Sequence, residues 1–157
     1  IEDLRRLGAE ITPLDPPKPF EELKEANGII TTAEGYFYHG DLMSNPDAQV
    51  DEYVRKRFLA GVNLTAKDYI AAIQKRVEDQ KEFFAAIANA DAYLTPTTPM
   101  LPVPLDELSE DETPARFTRP GNYLNMCGIS VPGKVSKTNN VFFILWKFSS
   151  FSTSPLA

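Results

Sequence analysis

The sequence predicts an α/β fold in which helices pack on a few strands of a mixed sheet that this chain does not complete. Two segments carry apolar residues at helical spacing, and short apolar runs that end at a proline or glycine are typical of strands. Only three such runs precede residue 133. Three strands are few for a doubly wound sheet, so we expect the chain to form part of a larger one.

The first three predicted helices lie within residues 2–61. A short helix over residues 2–7 ends at Gly8, and a long helix over Phe20–Tyr38 follows a proline-rich connection. Residues 45–47, Asn-Pro-Asp, break the helical pattern and can start the next helix, which continues through Val50–Gly61. These segments predict a helical layer in the N-terminal part of the chain.

The strongest helix prediction begins at Thr65, where Thr65 and Asp68 match the capping-box pattern with Asp in place of Glu. Its apolar stripe comprises Tyr69, Ile70, Ile73, Val77, Phe84, Ile87 and Ala88. The predicted strands are Ala9–Thr12, Ala90–Thr95 and Ile129–Val131, the last stopped by Pro132, and a short helix is predicted over Asn122–Cys127 with Gly128 ending it. A long loop over Pro96–Pro120 contains the acidic segment Asp106–Glu112, and a loop of this length is usually functional.

The charge of the chain is negative and unevenly spread. The net charge is −6, all 22 acidic residues lie at or before Glu112, and residues 113–157 carry five Lys+Arg and no acid. A negative protein is an unfavourable nucleic-acid binder, and the longest apolar run, Val141–Trp146, is too short for a membrane helix. We therefore expect neither a nucleic-acid nor a membrane partner. The oligomeric state is left open, and a cytoplasmic location is the one that we expect.

Residues that hold metals or act as nucleophiles are scarce. His39 and Cys127 are the only histidine and cysteine, so no zinc site is expected, and Asp41 and Asp47 near His39 make only a weak oxygen-rich alternative. No Gly-x-Gly-x-x-Gly or Gly-x-Ser-x-Gly segment is present, and we expect no cofactor. Cys127 is interpreted as a small core residue. The acidic helix positions Glu21, Glu22, Glu25, Glu78, Asp79 and Glu82 are interpreted as solvated faces.

Two features suggest a binding role. Arg57 falls near the apolar edge of its predicted helix, where it would be partly buried. Such an arginine holds a substrate anion, forms a buried ion pair or extends its charged end to solvent, and the residues alone leave these alternatives open. Thr97 and Thr98 follow the strand that ends in Leu94-Thr-Pro, at a sheet edge of the kind where α/β proteins bind ligands. An ordinary strand end is the alternative there.

Several segments together resemble the amidase signature family, the serine amidases with a Ser–cis-Ser–Lys triad. The matching segments are Leu7-Gly-Ala-Glu-Ile11, Tyr53-Val-Arg-Lys-Arg57 with Gly61, Tyr69 with Ala72 and Arg76, Ala90-Asp-Ala-Tyr-Leu-Thr-Pro-Thr-Thr-Pro99, Arg116-Phe-Thr-Arg-Pro-Gly-Asn122 and Gly128-Ile-Ser-Val-Pro132. The resemblance covers about residues 1–132. It implies a partial amidase-signature fold and a parent enzyme that hydrolyses carboxamide C–N bonds through a serine acyl-enzyme, without a cofactor.

The resemblance also implies which parts are absent. The family's two serines and its lysine lie in an earlier glycine- and serine-rich segment that nothing here matches, so no catalytic residue is expected in this chain. Arg57 matches an arginine that holds the substrate carboxylate in glutamine-using subunits of the family, and Thr97 and Thr98 are expected beside the substrate. The pair Ser149-Ser150 has no glycines around it and is not interpreted as the nucleophile.

The tail and two alternative functions complete the sequence-based predictions. Residues 133–157 are predicted to be a divergent basic and aromatic tail that arises from non-native coding, because the family pattern is lost after Pro132. One alternative is a non-catalytic helical interaction module that uses residues 65–89 and the acidic loop. The other is an A-type subunit of a glutamine-dependent amidotransferase, although the acid that such subunits carry before the Phe117-Thr118 position is missing.

Overall fold

The computed structural model describes residues 1–99, 103–104, 107, 114–136 and 139–147. The helices, in chain order, are α1 (Glu2–Arg6), α2 (Phe20–Ser44), α3 (Glu52–Leu59), α4 (Ala66–Ala86) and α5 (Arg119–Tyr123). The strands are β1 (Ala92–Pro96), β2 (Cys127–Ser136) and β3 (Asn139–Lys147), and two 3₁₀ helices lie at Ala60–Asn63 and Pro114–Arg116.

Helix α2 is the central element, because α3, α4 and α5 all pack against it. Its N-terminal half buries Leu23, Ala26 and Ile30 in the core. The sequence predicts that this helix ends at Tyr38, but it continues to Ser44. It ends where Asn45 adopts an extended backbone, since the residue before a proline is disfavoured in the helical region.

Two glycines allow α2 and the α3 region to approach at backbone distance. Gly35 is buried under the ring of Phe58, and a Cβ atom on Gly35 would lie 2.5 Å from the Phe58 Cδ1 atom. A Cβ atom on Gly61 would lie 2.8 Å from the backbone oxygen of Thr32 and would overlap the Cβ atom of Tyr36. Neither position has room for a larger side chain, so these contacts fix α3 close to α2.

The capping box of α4 is confirmed. The Asp68 amide donates to Thr65 Oγ1 at 3.2 Å, and the Thr65 amide donates to Asp68 Oδ2 at 3.0 Å. The predicted apolar stripe is wrong in part, because Ile70 and Val77 are 54% and 43% exposed. The side of α4 that enters the core carries Ala72 and Phe83 instead. At 100° per residue, Ala72 and Phe83 point almost opposite to Ile70.

The hydrophobic core lies between α2, α4 and α5, and it includes the residues that directly follow α4 and α5. Its buried members are Leu23, Ala26, Ile30, Ala72, Phe83, Ile87, Tyr123 and Leu124. Tyr93 of β1 contacts this core edge-to-face, with its ring centroid 5.4 Å from that of Phe83 and 6.4 Å from that of Phe20. The first strand is thereby joined to the helical layer.

The three strands form one sheet in the order β1-β3-β2. Both pairings are antiparallel, so this part of the fold contains no parallel pair of hydrogen-bonded neighbours in the residues that the structure describes. Leu145 of β3 stands in register with Leu94 on one side and Ile129 on the other. Helices packed beside a small sheet confirm the predicted class, although the mixed character of the sheet is not seen in these strands.

Two further predicted elements differ from the structure. Ala9–Thr12 is irregular rather than a strand, because Gly8 has a φ of +94° and the following prolines leave few backbone donors. The helix predicted over Asn122–Cys127 instead spans Arg119–Tyr123, and the chain turns at Asn125 with a φ of +54° before β2 begins.

Strand β2 also runs through Pro132, where the sequence predicts a stop. An edge strand tolerates proline, and the pairing with β3 is irregular between Pro132 and Val135. The Val141–Trp146 run lies in the central strand β3. The acidic loop segment 106–112, apart from Glu107, and the serine pair at 149–150 lie outside the described residues.

Candidate functional site

The turn between α2 and α3 is held by Arg55, not by Arg57. The Arg55 guanidinium donates to the backbone oxygens of Met43, Asn45 and Ala48, at 2.8 Å for Asn45 and 2.7 Å for Ala48. Its Nε atom lies 3.4 Å from the Glu52 carboxylate. Arg55 therefore satisfies carbonyls at the C-terminal end of α2, where a helix has unpaired acceptors and negative dipole charge.

Arg57 lies on the exposed side of α3, so the expectation of a partly buried Arg57 at the apolar edge is wrong. Among the described residues, no ion pair or hydrogen bond joins Arg57 to a carboxylate. Tyr53 precedes it by one helical turn and is 47% exposed. Residues four apart on a helix are neighbours, so Tyr53 and Arg57 present a phenol and a guanidinium on one face.

A second arginine, which the sequence analysis did not select, faces this pair. Arg119 is half-buried at the start of α5. Burial lowers the pKa of Arg119, the positive charge of Arg57 lowers it further, and Tyr53 acts in the opposite direction. Arg57 and Arg119 are therefore close enough to repel each other. The sequence feature that could have identified Arg119 is its position directly before Pro120 at a helix start, in the segment Arg116–Asn122 that the family resemblance includes.

Thr97 and Thr98 directly follow β1, as predicted. Thr97 is half-buried, and its Oγ1 atom is buried without a hydrogen-bond partner in the described part of the chain. Thr98 is exposed. The structure brings Arg57 to Arg119 and Tyr53, and it shows no hydrogen bond between Arg57 and Thr97. The assignment of Arg57, Thr97 and Thr98 as one substrate site stays a prediction.

A buried cluster around Asp79 corrects the interpretation of Glu78-Asp79-Glu82 as a solvated face, because Asp79 is only 3% exposed. Its carboxylate accepts from Lys18 at 2.7 Å, from Lys75 at 3.0 Å and from the Tyr123 hydroxyl at 2.8 Å. Lys18 also pairs with Glu82 at 2.8 Å. These contacts join the proline-rich segment to α4 and α5.

The ionisation of this cluster is fixed by its own contacts. Burial raises the pKa of Asp79, but hydrogen bonds from Lys18, Tyr123 and Lys75 outweigh it and hold the pKa below its ordinary value. Hydrogen bonds to Asp79 and Glu82 raise the pKa of Lys18. Burial and then the bond to Asp79 raise the pKa of Tyr123. None of the three groups exchanges a proton near neutral pH, so the cluster stabilises the fold rather than performing acid–base chemistry.

The single histidine and the single cysteine lie on different elements, His39 in α2 and Cys127 in β2. His39 is exposed and stacks on Phe58 with ring centroids 5.9 Å apart. Cys127 is a free, exposed thiol at the start of β2, so its interpretation as a core residue is wrong. Within the described ranges, no group of three or more His, Cys, Asp or Glu residues is placed to hold a metal ion. Nor does any helix there have the length and apolarity to cross a membrane.

Comparison with known proteins defines the class. A family model described as Amidase matches residues 1–147. An amidase crystal structure superimposes with a TM-score of 0.80 at 26% identity, covering 93% of this chain and 35% of that one. Allophanate hydrolase of Kluyveromyces lactis gives a TM-score of 0.76 at 23% identity, over 93% and 25% of the two chains. A bacterial aryl acylamidase of the amidase signature family gives 0.67 at 16%, over 94% and 34%.

The chain therefore has an amidase-signature fold, and it belongs to the amidase family. It spans about a third of the length of the amidase structure that it matches. A comparison with curated protein sequences gives no match. The predicted resemblance is confirmed, and membership of this family favours an amidase-family hydrolase fragment over a helical interaction module.

Proposed function

We propose that this chain forms one wall of the substrate pocket in an enzyme that hydrolyses carboxamide C–N bonds of small molecules. The observation that supports it best is Arg57, an exposed arginine without an acid partner among the described residues, facing Arg119 within an amidase-family fold. A guanidinium binds a carboxylate through two parallel hydrogen bonds. In this proposal Arg57 holds a carboxylate of the substrate, and Thr97 and Thr98 contact the amide-bearing part.

The chemical step requires groups that this sequence does not match. In the mechanism implied by the family, a lysine acting through a bridging serine deprotonates the nucleophilic serine, which attacks the amide carbonyl. Backbone amides stabilise the oxyanion, ammonia or an amine leaves, and water hydrolyses the acyl-enzyme to release the acid. The 157-residue chain is therefore expected to bind substrate-like amides without cleaving them.

The test compares two amides on the purified chain. Succinamate carries a carboxylate and benzamide does not. We expect succinamate to bind more tightly by calorimetry, no ammonia to be released from either amide, and Arg57→Gln to remove the preference. Lys56→Gln is the matched control, since Lys56 is an exposed cation next to Arg57 on α3. Ammonia release that serine-directed reagents inhibit would contradict the missing nucleophile, and an unchanged preference in Arg57→Gln would contradict the role of Arg57.

The division into residues 1–132 and a divergent tail over 133–157 is also a proposal. It is supported by the absence of acidic residues after Glu112. Two observations favour the opposite view, that residues 133–147 are family sequence: the family model matches through Pro132 to residue 147, and β3 pairs with β1 and β2. The nucleotide sequence decides between native and non-native coding of the tail. An uninterrupted, family-like coding sequence across Pro132 would refute non-native coding.

A further inference from the structure

Arg76 of α4 is a half-buried arginine that lacks an acceptor. Its Nε atom is buried and has no hydrogen-bond partner in the described part of the chain. No ion pair to a described carboxylate involves Arg76 either. Burying a polar donor without a partner costs free energy, and for a charged group the cost is larger. The position of Arg76 therefore calls for an anion that the described residues do not supply.

Two acids in this region of α4 and α2 already have other partners. Asp79, three residues further along α4, accepts from Lys18, Lys75 and the Tyr123 hydroxyl. Glu34 of α2 accepts from the Tyr69 hydroxyl at 3.0 Å. Neither carboxylate forms an ion pair with Arg76, so its guanidinium has no ion-pair partner in the described ranges.

The surroundings of Arg76 place it where α2, α4 and α5 meet. Tyr69 precedes it by two helical turns on the same side of α4, and Tyr123 belongs to α5. The positive charge of Arg76 opposes the rise in the pKa of both tyrosines, so its charge lies within electrostatic range of them. Arg76 as a whole is only half-buried while its Nε atom is buried, so its solvent-exposed area belongs to its other atoms.

We propose that Arg76 binds the carboxylate of a small organic acid at the junction of α2, α4 and α5. The planar guanidinium fork matches the two oxygens of a carboxylate, whereas a single lysine would present only a point charge. A single half-buried side chain suits a small acid better than a broad protein surface. This site does not depend on the role proposed for Arg57, which lies on a different helix.

The experiment follows the Arg76 side chain directly. The 157-residue chain with ¹⁵N-labelled arginine is titrated with sodium acetate, sodium chloride and acetamide at constant ionic strength, and the Arg Nε–Hε signals are recorded by NMR. We expect the Arg76 signal, assigned from its loss in Arg76→Lys, to shift and saturate with acetate alone. Arg76→Gln weakens acetate binding roughly ten- to a hundredfold, as expected for loss of a charge-assisted hydrogen bond.

Controls separate this site from other positive groups. Lys81→Gln removes an exposed cation from the same helix and leaves the Arg76 signal responsive. Arg57→Gln leaves it responsive as well, so failure of the proposed substrate site and failure of this one are distinguished. An Arg76 signal that does not respond to acetate in the unmodified chain, or that responds equally to chloride, refutes the proposal whether or not Arg76→Gln folds.

Discussion

The hydrogen bond between Tyr123 and Asp79 yields the sharpest quantitative prediction. Tyr123 is 1% exposed, and its hydroxyl lies 2.8 Å from Asp79 Oδ2. Tyr123→Phe keeps the ring packing and removes one hydrogen bond to a charged acceptor, which costs about 1.5–3 kcal/mol. Lys18 and Lys75 still hold the Asp79 carboxylate, so the lower half of this range is expected, about 2 kcal/mol.

Equilibrium urea unfolding at low micromolar concentration, followed by the helical circular-dichroism signal, measures this change. With a urea dependence of about 2 kcal/mol per molar for a chain of this size, the midpoint is expected to fall by about 1 M. Tyr38→Phe is the matched control, because Tyr38 is 73% exposed and its variant should stay within about 0.5 kcal/mol. If Tyr123→Phe unfolds at the same midpoint as Tyr38→Phe, the buried bond does not stabilise the protein and the reasoning fails.

The remaining predictions use the same assay. Because the pKa of Asp79 is lower in the folded than in the unfolded chain, the ionised carboxylate stabilises the fold above about pH 4, and this contribution is lost as the pH falls through the folded pKa. The difference in unfolding free energy between the unmodified chain and Asp79→Asn should therefore shrink as the pH is lowered. A difference that stays constant with pH would contradict this. Gly61→Ala should destabilise by about 1–3 kcal/mol, since the new Cβ atom overlaps Tyr36, and a neutral result would show that α3 moves away freely. Thr65→Ala should cost about 1 kcal/mol through loss of the cap, whereas no change would mean that the start of α4 frays.

Local sequence patterns were sufficient to predict the structural features that depend only on neighbouring residues. The capping box at Thr65 and the break at Asn45-Pro46 were predictable, because a cap and a proline act on the backbone within a few positions. The family resemblance also gave the fold class correctly. Strand membership was less predictable, because Ala9–Thr12 has β-compatible residues but no neighbouring strand in the described part of the sheet.

Burial of charged residues could not be predicted from helix periodicity. Asp79 sits in an acidic run that is typical of a solvated face, yet α5 and the segment before α2 cover it. Lys18 is distant from Asp79 in sequence, so no local pattern relates the two residues. Tertiary contacts of this kind decide whether a carboxylate is a surface charge or a buried acceptor, and they explain why Asp79 is buried although its sequence neighbourhood predicts a solvated face.

The same argument separates the two arginines of α3. Arg55 and Arg57 are indistinguishable in the run Arg-Lys-Arg, and the apolar edge favoured Arg57 as the buried one. In the structure Arg55 is bound to three backbone oxygens and Arg57 is exposed. A guanidinium that already holds carbonyls is not free to bind a substrate, whereas Arg57 forms no hydrogen bond or ion pair with a described residue. Burial alone would point to Arg55, so the proposed substrate contact of Arg57 rests on its exposure and on the absence of an acid partner among the described residues.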